Sequence, residues 1–248
     1  ADPFFVALCV LLTVHYWITP GIFEGKASGD GLVAFYYFPG LWFHGSLDMA
    51  RVAPAHVAAA FGRESTGLVA NPNPIGPPLL WIPFFFLSLV LKKGLLLVGA
   101  LLGRAAPAGL LRALPELRQP YCSFDYFVTG LGSLFYGLVG VSRVLRLLLR
   151  HTSLSAARFG ALVATLASPL AWYLTTQPLY QHACAFFAVS LLVERWDAYR
   201  TEDGGDLRLR HAAILGALGG LCLLMRTQQG VWLLLPGWQS AVLFYSIL

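Results

Sequence analysis

Apolar residues in this chain come in long unbroken runs, among them 4–16, 127–141 and 159–174. None alternates with the period of two expected of a barrel strand. Inside a bilayer only helices and closed barrels satisfy their own backbone groups, so such runs predict membrane helices. The first candidate span is 3–20, and others read at 124–149, 157–174, 179–193, 212–224 and 231–248. A helix needs about 20 mostly apolar residues to cross. The pattern predicts an all-α polytopic membrane protein with about six transmembrane helices in a single domain, 1–248.

Between the first two spans lies a mixed segment, 21–120, an outer loop carrying juxtamembrane or re-entrant helices if 79–102 does not cross; 121–248 then forms the helical bundle. Its first part holds Glu24, Lys26, Asp30, Asp48, Arg51, Arg63 and Glu64. Residues 31–43 predict a short amphipathic helix rich in Phe, Tyr and Trp, side chains that favour the membrane interface. Asn71-Pro72-Asn73-Pro74-Ile75-Gly76-Pro77-Pro78 is a helix-breaking hinge, because proline locks φ and biases the preceding residue away from helix.

The run 79–102 is apolar but interrupted by Lys92-Lys93. As a helix its 24 residues reach roughly 36 Å, enough for one crossing or an in-plane helix but not for two crossings. Without a crossing, Asp30, 177–182 and 226–229 share the outer face. With one, the second half inverts. Four Arg in 143–158 against five Lys and Arg in 92–118 leave the positive-inside rule undecided.

Composition supports a membrane protein. The 248 residues are 57% hydrophobic and 12% charged, with a mean hydropathy of +0.67. Soluble domains carry about 25% charged residues. The net charge of +5 comes from 14 Arg and 3 Lys against 12 acids. These basic residues cluster at the ends of apolar runs and form no nucleic-acid motif, so no nucleic-acid partner is expected. The excess of Arg over Lys, with abundant Ala, Leu and Gly, points to a GC-rich bacterial genome. Cys9, Cys122, Cys184 and Cys222 are scattered and read as small buried residues. The first run lacks a basic n-region and a small-x-small cleavage site before Glu24, so it reads as a retained helix. The start at Ala1 suggests residues upstream, and the last run ends without a polar tail.

An apolar helix, then Gly29-Asp30-Gly31, an aromatic helix, and Gly45-Ser46-Leu47-Asp48 together resemble the N-terminal part of bacterial GT-C-type glycosyltransferases, which use polyprenyl-phosphate sugars. The stretch Asn73-Pro74-Ile75-Gly76-Pro77-Pro78-Leu79-Leu80-Trp81 is similar to a Pro-Pro-Leu-aromatic segment of that superfamily, which there opens a juxtamembrane helix on the outer side. Arg143-Val144-Leu145-Arg146 also fits. Leu224-Met225-Arg226-Thr227-Gln228-Gln229 is similar to its Arg-x-Gln turn. The resemblance covers most of this chain but only the first part of a typical member. It implies the one-sided arrangement, in which 79–102 does not cross.

The resemblance implies that Asp30 is a general base on the acceptor, taking its proton while the sugar leaves the lipid phosphate. Flanking glycines let a substrate approach the backbone; equally, Asp beside Gly is ordinary turn chemistry. Asp48 is a second acid near the site, or the N-cap of a helix over 49–61. Arg226, with Gln228 and Gln229, holds the phosphate, or snorkels to the interface. His182 is a polar substrate-site residue, or an interfacial histidine bonded to backbone. His44 and His56 flank Asp48; a divalent ion there is compatible with the residue types but not required, and no His-x-x-x-His pair marks one. Six of the seven tryptophans, at 42, 81, 172, 196, 232 and 238, read mostly as interface anchors.

The expected function is therefore transfer of a sugar from a polyprenyl-phosphate carrier, the lipid-linked donor, to an outer-face acceptor. The expected location is a bacterial inner membrane, with membrane lipids as the surrounding partner. The alternative is a truncated, non-catalytic relative serving as a structural subunit among other membrane subunits. A transporter fits less well, because few ionisable residues fall within the spans; Asp125, at a span's edge, is the nearest.

Overall fold

A computed structural model describes residues 2–19, 29–202 and 209–237. Glu24, Lys26, Gly204-Gly205, Trp238 and most of the predicted span 231–248 lie outside them. All regular elements among the described residues are helical. In order they are α1 (Pro3–Ile18), α2 (Gly29–Phe35), α3 (Tyr37–His44), α4 (Ala55–Ala59), α5 (Gly76–Leu102), α6 (Ala108–Leu117), α7 (Ser123–His151), α8 (Leu154–Leu166), α9 (Leu170–Thr175), α10 (His182–Glu202) and α11 (Leu209–Met225).

Proline explains where the helices depart from the runs. The aromatic stretch 31–43 forms two helices, because Pro39 needs a first-turn position where its missing N–H costs nothing; α3 restarts at Tyr37 to supply it. Pro169 likewise divides 157–174 into α8 and α9. Pro77 and Pro78 occupy the first turn of α5, so the predicted hinge is also a helix start.

Ion pairs mark one end of the bundle. Arg158 holds Asp2, the N-cap of α1, with Nη2 at 2.7 Å and Nε at 3.1 Å. Arg150 donates to the Glu194 side chain at 2.8 Å and backbone carbonyl at 3.0 Å. His151 meets Asp197 at 2.9 Å. Glu194 is fully buried, and this pairing lets α10 continue to Glu202, past the charges that end the apolar run. At the opposite end Tyr16 donates to the Phe127 carbonyl at 2.5 Å, and Trp17 packs edge-on against the Phe127 ring. Helix α1 is therefore antiparallel to α7. Helices α7 and α10 run parallel, with α8 and α9 returning the chain between them. Tyr199 stacks on His211 at 4.0 Å, making α11 antiparallel to α10. Small buried residues on α10, Ala183, Cys184 and Ala188, allow close packing in the bundle core.

Helix α5 lies along the N-terminal half of α7. Trp81 donates to Ser133 Oγ at 2.8 Å, and two turns further on Ser88 donates to Asp125 Oδ1 at 2.8 Å. Lys92 Nζ meets Asp125 Oδ2 at 2.5 Å and also donates to the Pro120 carbonyl at 3.1 Å. Both members of this ion pair are buried. The lysine that interrupts the apolar run is thus turned inward onto the acid that caps α7. The start of α5 meets the end of α11, and its middle meets the start of α7. Both contacts fall at the Tyr16–Phe127 end of the bundle.

Among the described residues two helical segments, Gly76–Ala105 and Ser123–His151, are long and apolar enough to cross a membrane. The apolar window of the first is only 22% buried. Leu79, Val90, Leu97 and Leu101 face outward from it, as do Val10, Trp17 and Ile18 from α1. Apolar surface on this scale is what lipid covers and what water disfavours.

Candidate functional site

A cavity of about 380 Å3 opens at the Tyr16–Phe127 end, where α2, the proline-rich loop, the start of α10 and the end of α11 converge. Pro72, Asn73 and Pro74 form one wall. Asp30, Gln181, Arg226, Thr227 and Gln228 complete the lining.

The proline-rich loop is stitched in place before it reaches the cavity. Asn71 Nδ2 donates to the Val33 carbonyl at 2.7 Å, and Asn71 Oδ1 accepts from Asn73 N at 3.0 Å, an Asx turn. The Tyr37 hydroxyl donates to the Asn73 carbonyl at 2.8 Å. The buried Asn73 side chain then links two elements: Nδ2 donates to the Asp30 carbonyl at 3.1 Å, and Oδ1 accepts from Gln181 Nε2. This fixes the backbone of Asp30 and leaves its carboxylate exposed at the cavity.

The opposite side depends on two close approaches. A Cβ on Gly31 would lie 2.9 Å from the Leu179 carbonyl carbon, so only glycine lets α2 sit against the entrance to α10. A Cβ on Gly76 would lie 2.3 Å from the Leu224 carbonyl oxygen. The bare Gly76 brings the start of α5 against the last turn of α11, where Met225 is fully buried and Arg226 follows. Arg226 Nη1 lies 3.1 Å from His182 Nδ1. A guanidinium only donates, so Nδ1 is the acceptor and the imidazole in this arrangement is neutral. The His182 ring in turn stacks on Tyr173 at 3.9 Å.

Asp30, Arg226 and Gln228, distant in sequence, thus line one cavity, with His182 directly behind Arg226. Asn73, Gln181 and Thr227 line it too, although in the sequence they read only as parts of a helix breaker, a span entrance and a turn. Two asparagines interleaved with prolines, and a glutamine just before His182, were the available signals.

Asp48 does not line the cavity. Its Oδ1 accepts from Val69 N at 3.0 Å and Ala50 N at 3.1 Å. Those two backbone donors hold its carboxyl below the usual range, helped by Arg51 and Arg63. It caps a 3-10 turn at Met49–Arg51 rather than one helix over 49–61. His44 ends α3 and His56 lies in α4, both exposed. Among the described residues no three His, Cys, Asp or Glu side chains come together as metal ligands.

The cavity therefore offers an exposed carboxylate, a guanidinium fixed by a histidine, three amides and a hydroxyl. That set suits a ligand with an anionic group and several hydroxyls. No family model, curated protein or solved structure matches the chain.

Proposed function

We propose that this chain is a GT-C-like membrane glycosyltransferase that moves a sugar from a polyprenyl-phosphate carrier to an acceptor on the outer face of a bacterial inner membrane. The reading is carried by one observation: Asp30 and Arg226, from opposite ends of the chain, line the same cavity. At about 380 Å3 it falls within the range of small-molecule sites, roughly 300–1,000 Å3.

In this reading the ion-paired end of the bundle faces the cytoplasm and the cavity faces out. Helices α1, α7, α8 with α9, α10 and α11 cross, and the sequence offers 231–248 as a sixth candidate. Helix α5 stays on the outer side without crossing, as the family resemblance implies. Asp30 takes the proton from the acceptor hydroxyl or amine. The new bond forms at the anomeric carbon as the carbon–oxygen bond to phosphate breaks, and the electron pair leaves with the lipid phosphate. Arg226 stabilises that departing charge, where a preorganised cation contributes most.

The test is sugar transfer in proteoliposomes supplied with a polyprenyl-phosphate sugar. Asp30→Asn should lower the rate by about 10²–10⁴-fold, the range for losing a general base, with unchanged thermal stability. A variant that keeps wild-type turnover contradicts the assignment.

A further inference from the structure

Gln181 is only 8% exposed, yet it borders the cavity. A chain of hydrogen bonds fixes which way its amide points. The Asp30 carbonyl can only accept, so Asn73 must turn Nδ2 toward it. Asn73 Oδ1 then faces Gln181, which must answer with Nε2. Both amide orientations thus follow from one backbone carbonyl. Gln181 Oε1 is left over, and no donor among the described residues meets it. The side chain is mostly buried but Oε1 is not sealed off, so its donor comes from water or from a ligand in the cavity. Here the acceptor stands on a cavity wall beside a second acceptor, the Asp30 carboxylate, and Arg226 lines the same cavity. A ligand matching this wall needs hydroxyl or N–H donors toward Gln181 and Asp30, and an anion toward Arg226.

We infer that Gln181 is a specificity-determining residue: its Oε1 accepts from a hydroxyl of a phosphorylated sugar whose phosphate rests on Arg226. Asn73 is the positioning residue that aims it. This rests on reading the cavity as a phosphosugar site. The Asp30 carbonyl orients Asn73, Asn73 orients Gln181, and Gln181 distinguishes a phosphosugar from a bare phosphate.

Calorimetric titration of the detergent-solubilised full chain with inorganic phosphate, glucose 1-phosphate and mannose 1-phosphate tests this. Wild type should bind at least one sugar phosphate more tightly than inorganic phosphate. Gln181→Met keeps the length and removes the amide, and should weaken that sugar phosphate by roughly three- to tenfold, the scale of one hydrogen bond, while leaving inorganic phosphate unchanged. Retained phosphate binding shows that the pocket is intact. Asn73→Ala should lower the ratio as Gln181→Met does. An unchanged ratio in Gln181→Met or in Asn73→Ala, or no sugar-phosphate preference in wild type, overturns the inference while leaving the phosphate reading intact. No phosphate binding by wild type, or binding indifferent to Arg226→Ala, overturns the phosphosugar reading itself and this inference with it.

Discussion

Replacing Gly76 by alanine should damage fold and site together. The added Cβ would lie 2.3 Å from the Leu224 carbonyl oxygen, 2.4 Å from its carbonyl carbon and 2.7 Å from Met225 N. All three are backbone atoms, so no side chain can swing aside. Non-bonded carbon contacts settle near 3.5–4.0 Å, so α5 and the end of α11 must separate by about 1 Å. Overpacking of this kind costs about 1–3 kcal/mol. For a chain of this length that lowers the melting temperature by roughly 2–12 °C. Arg226 follows Met225 directly and inherits the displacement. A misplacement of about 1 Å at a reacting centre can cost about 10²-fold in rate. The assay pairs melting in detergent with sugar transfer in proteoliposomes. Gly94→Ala is the control: it lies on the same helix with no atom within 4 Å of the added carbon. It should be neutral or stabilising by about 0.5–1 kcal/mol. If Gly76→Ala melts and turns over like Gly94→Ala, the packing of α5 on α11 does not set the site.

Other consequences follow from the same contacts. Lys92→Met strips a buried carboxylate of its cation and should destabilise the chain by about 3–5 kcal/mol, with much of this recovered when Asp125→Asn is added; additive single effects in the melting cycle would contradict the pairing. Gly31→Ala should perturb the position of α2 against Leu179 and weaken phosphosugar binding, read by titration; unaltered affinity would show that this approach is not needed. The Asp48 carboxyl is held low in the folded chain, so its contribution is present at neutral pH and is lost as pH falls through its folded value, below 3.8. Hydrogen-exchange protection at Ala50 and Val69 should fall there; protection that persists to lower pH would contradict the sign. Asp48→Ala should loosen the same loop without changing phosphate affinity, since Asp48 lies outside the cavity lining, and a loss of affinity would place it functionally in the site.

The bundle helices were legible because an apolar run is a direct record of the apolar surface each helix carries. What periodicity could not show was how ends meet. Lys92 reads as an interruption, and only the fold reveals Asp125 beneath it. The course of 79–102 stayed open to charge counting, whereas contacts of Trp81, Ser88 and Lys92 with the first turns of α7 place it along that helix. Asp30 and Arg226 stood out as charges beside apolar runs. Asn73 and Gln181 did not, because an uncharged amide carries no compositional signal until its partners are known. Asp48 shows the reverse: a conspicuous acid whose carboxylate is occupied by two loop amides.

The most direct test is a density map of the full chain in a lipid nanodisc with a bound polyprenyl-phosphate sugar. The phosphate is expected within hydrogen-bond distance of Arg226, with a sugar hydroxyl on Gln181 and the anomeric carbon facing Asp30. A cavity that stays empty while the lipid phosphate binds elsewhere, or one filled by a neighbouring subunit, would contradict it and favour a structural role in a membrane complex.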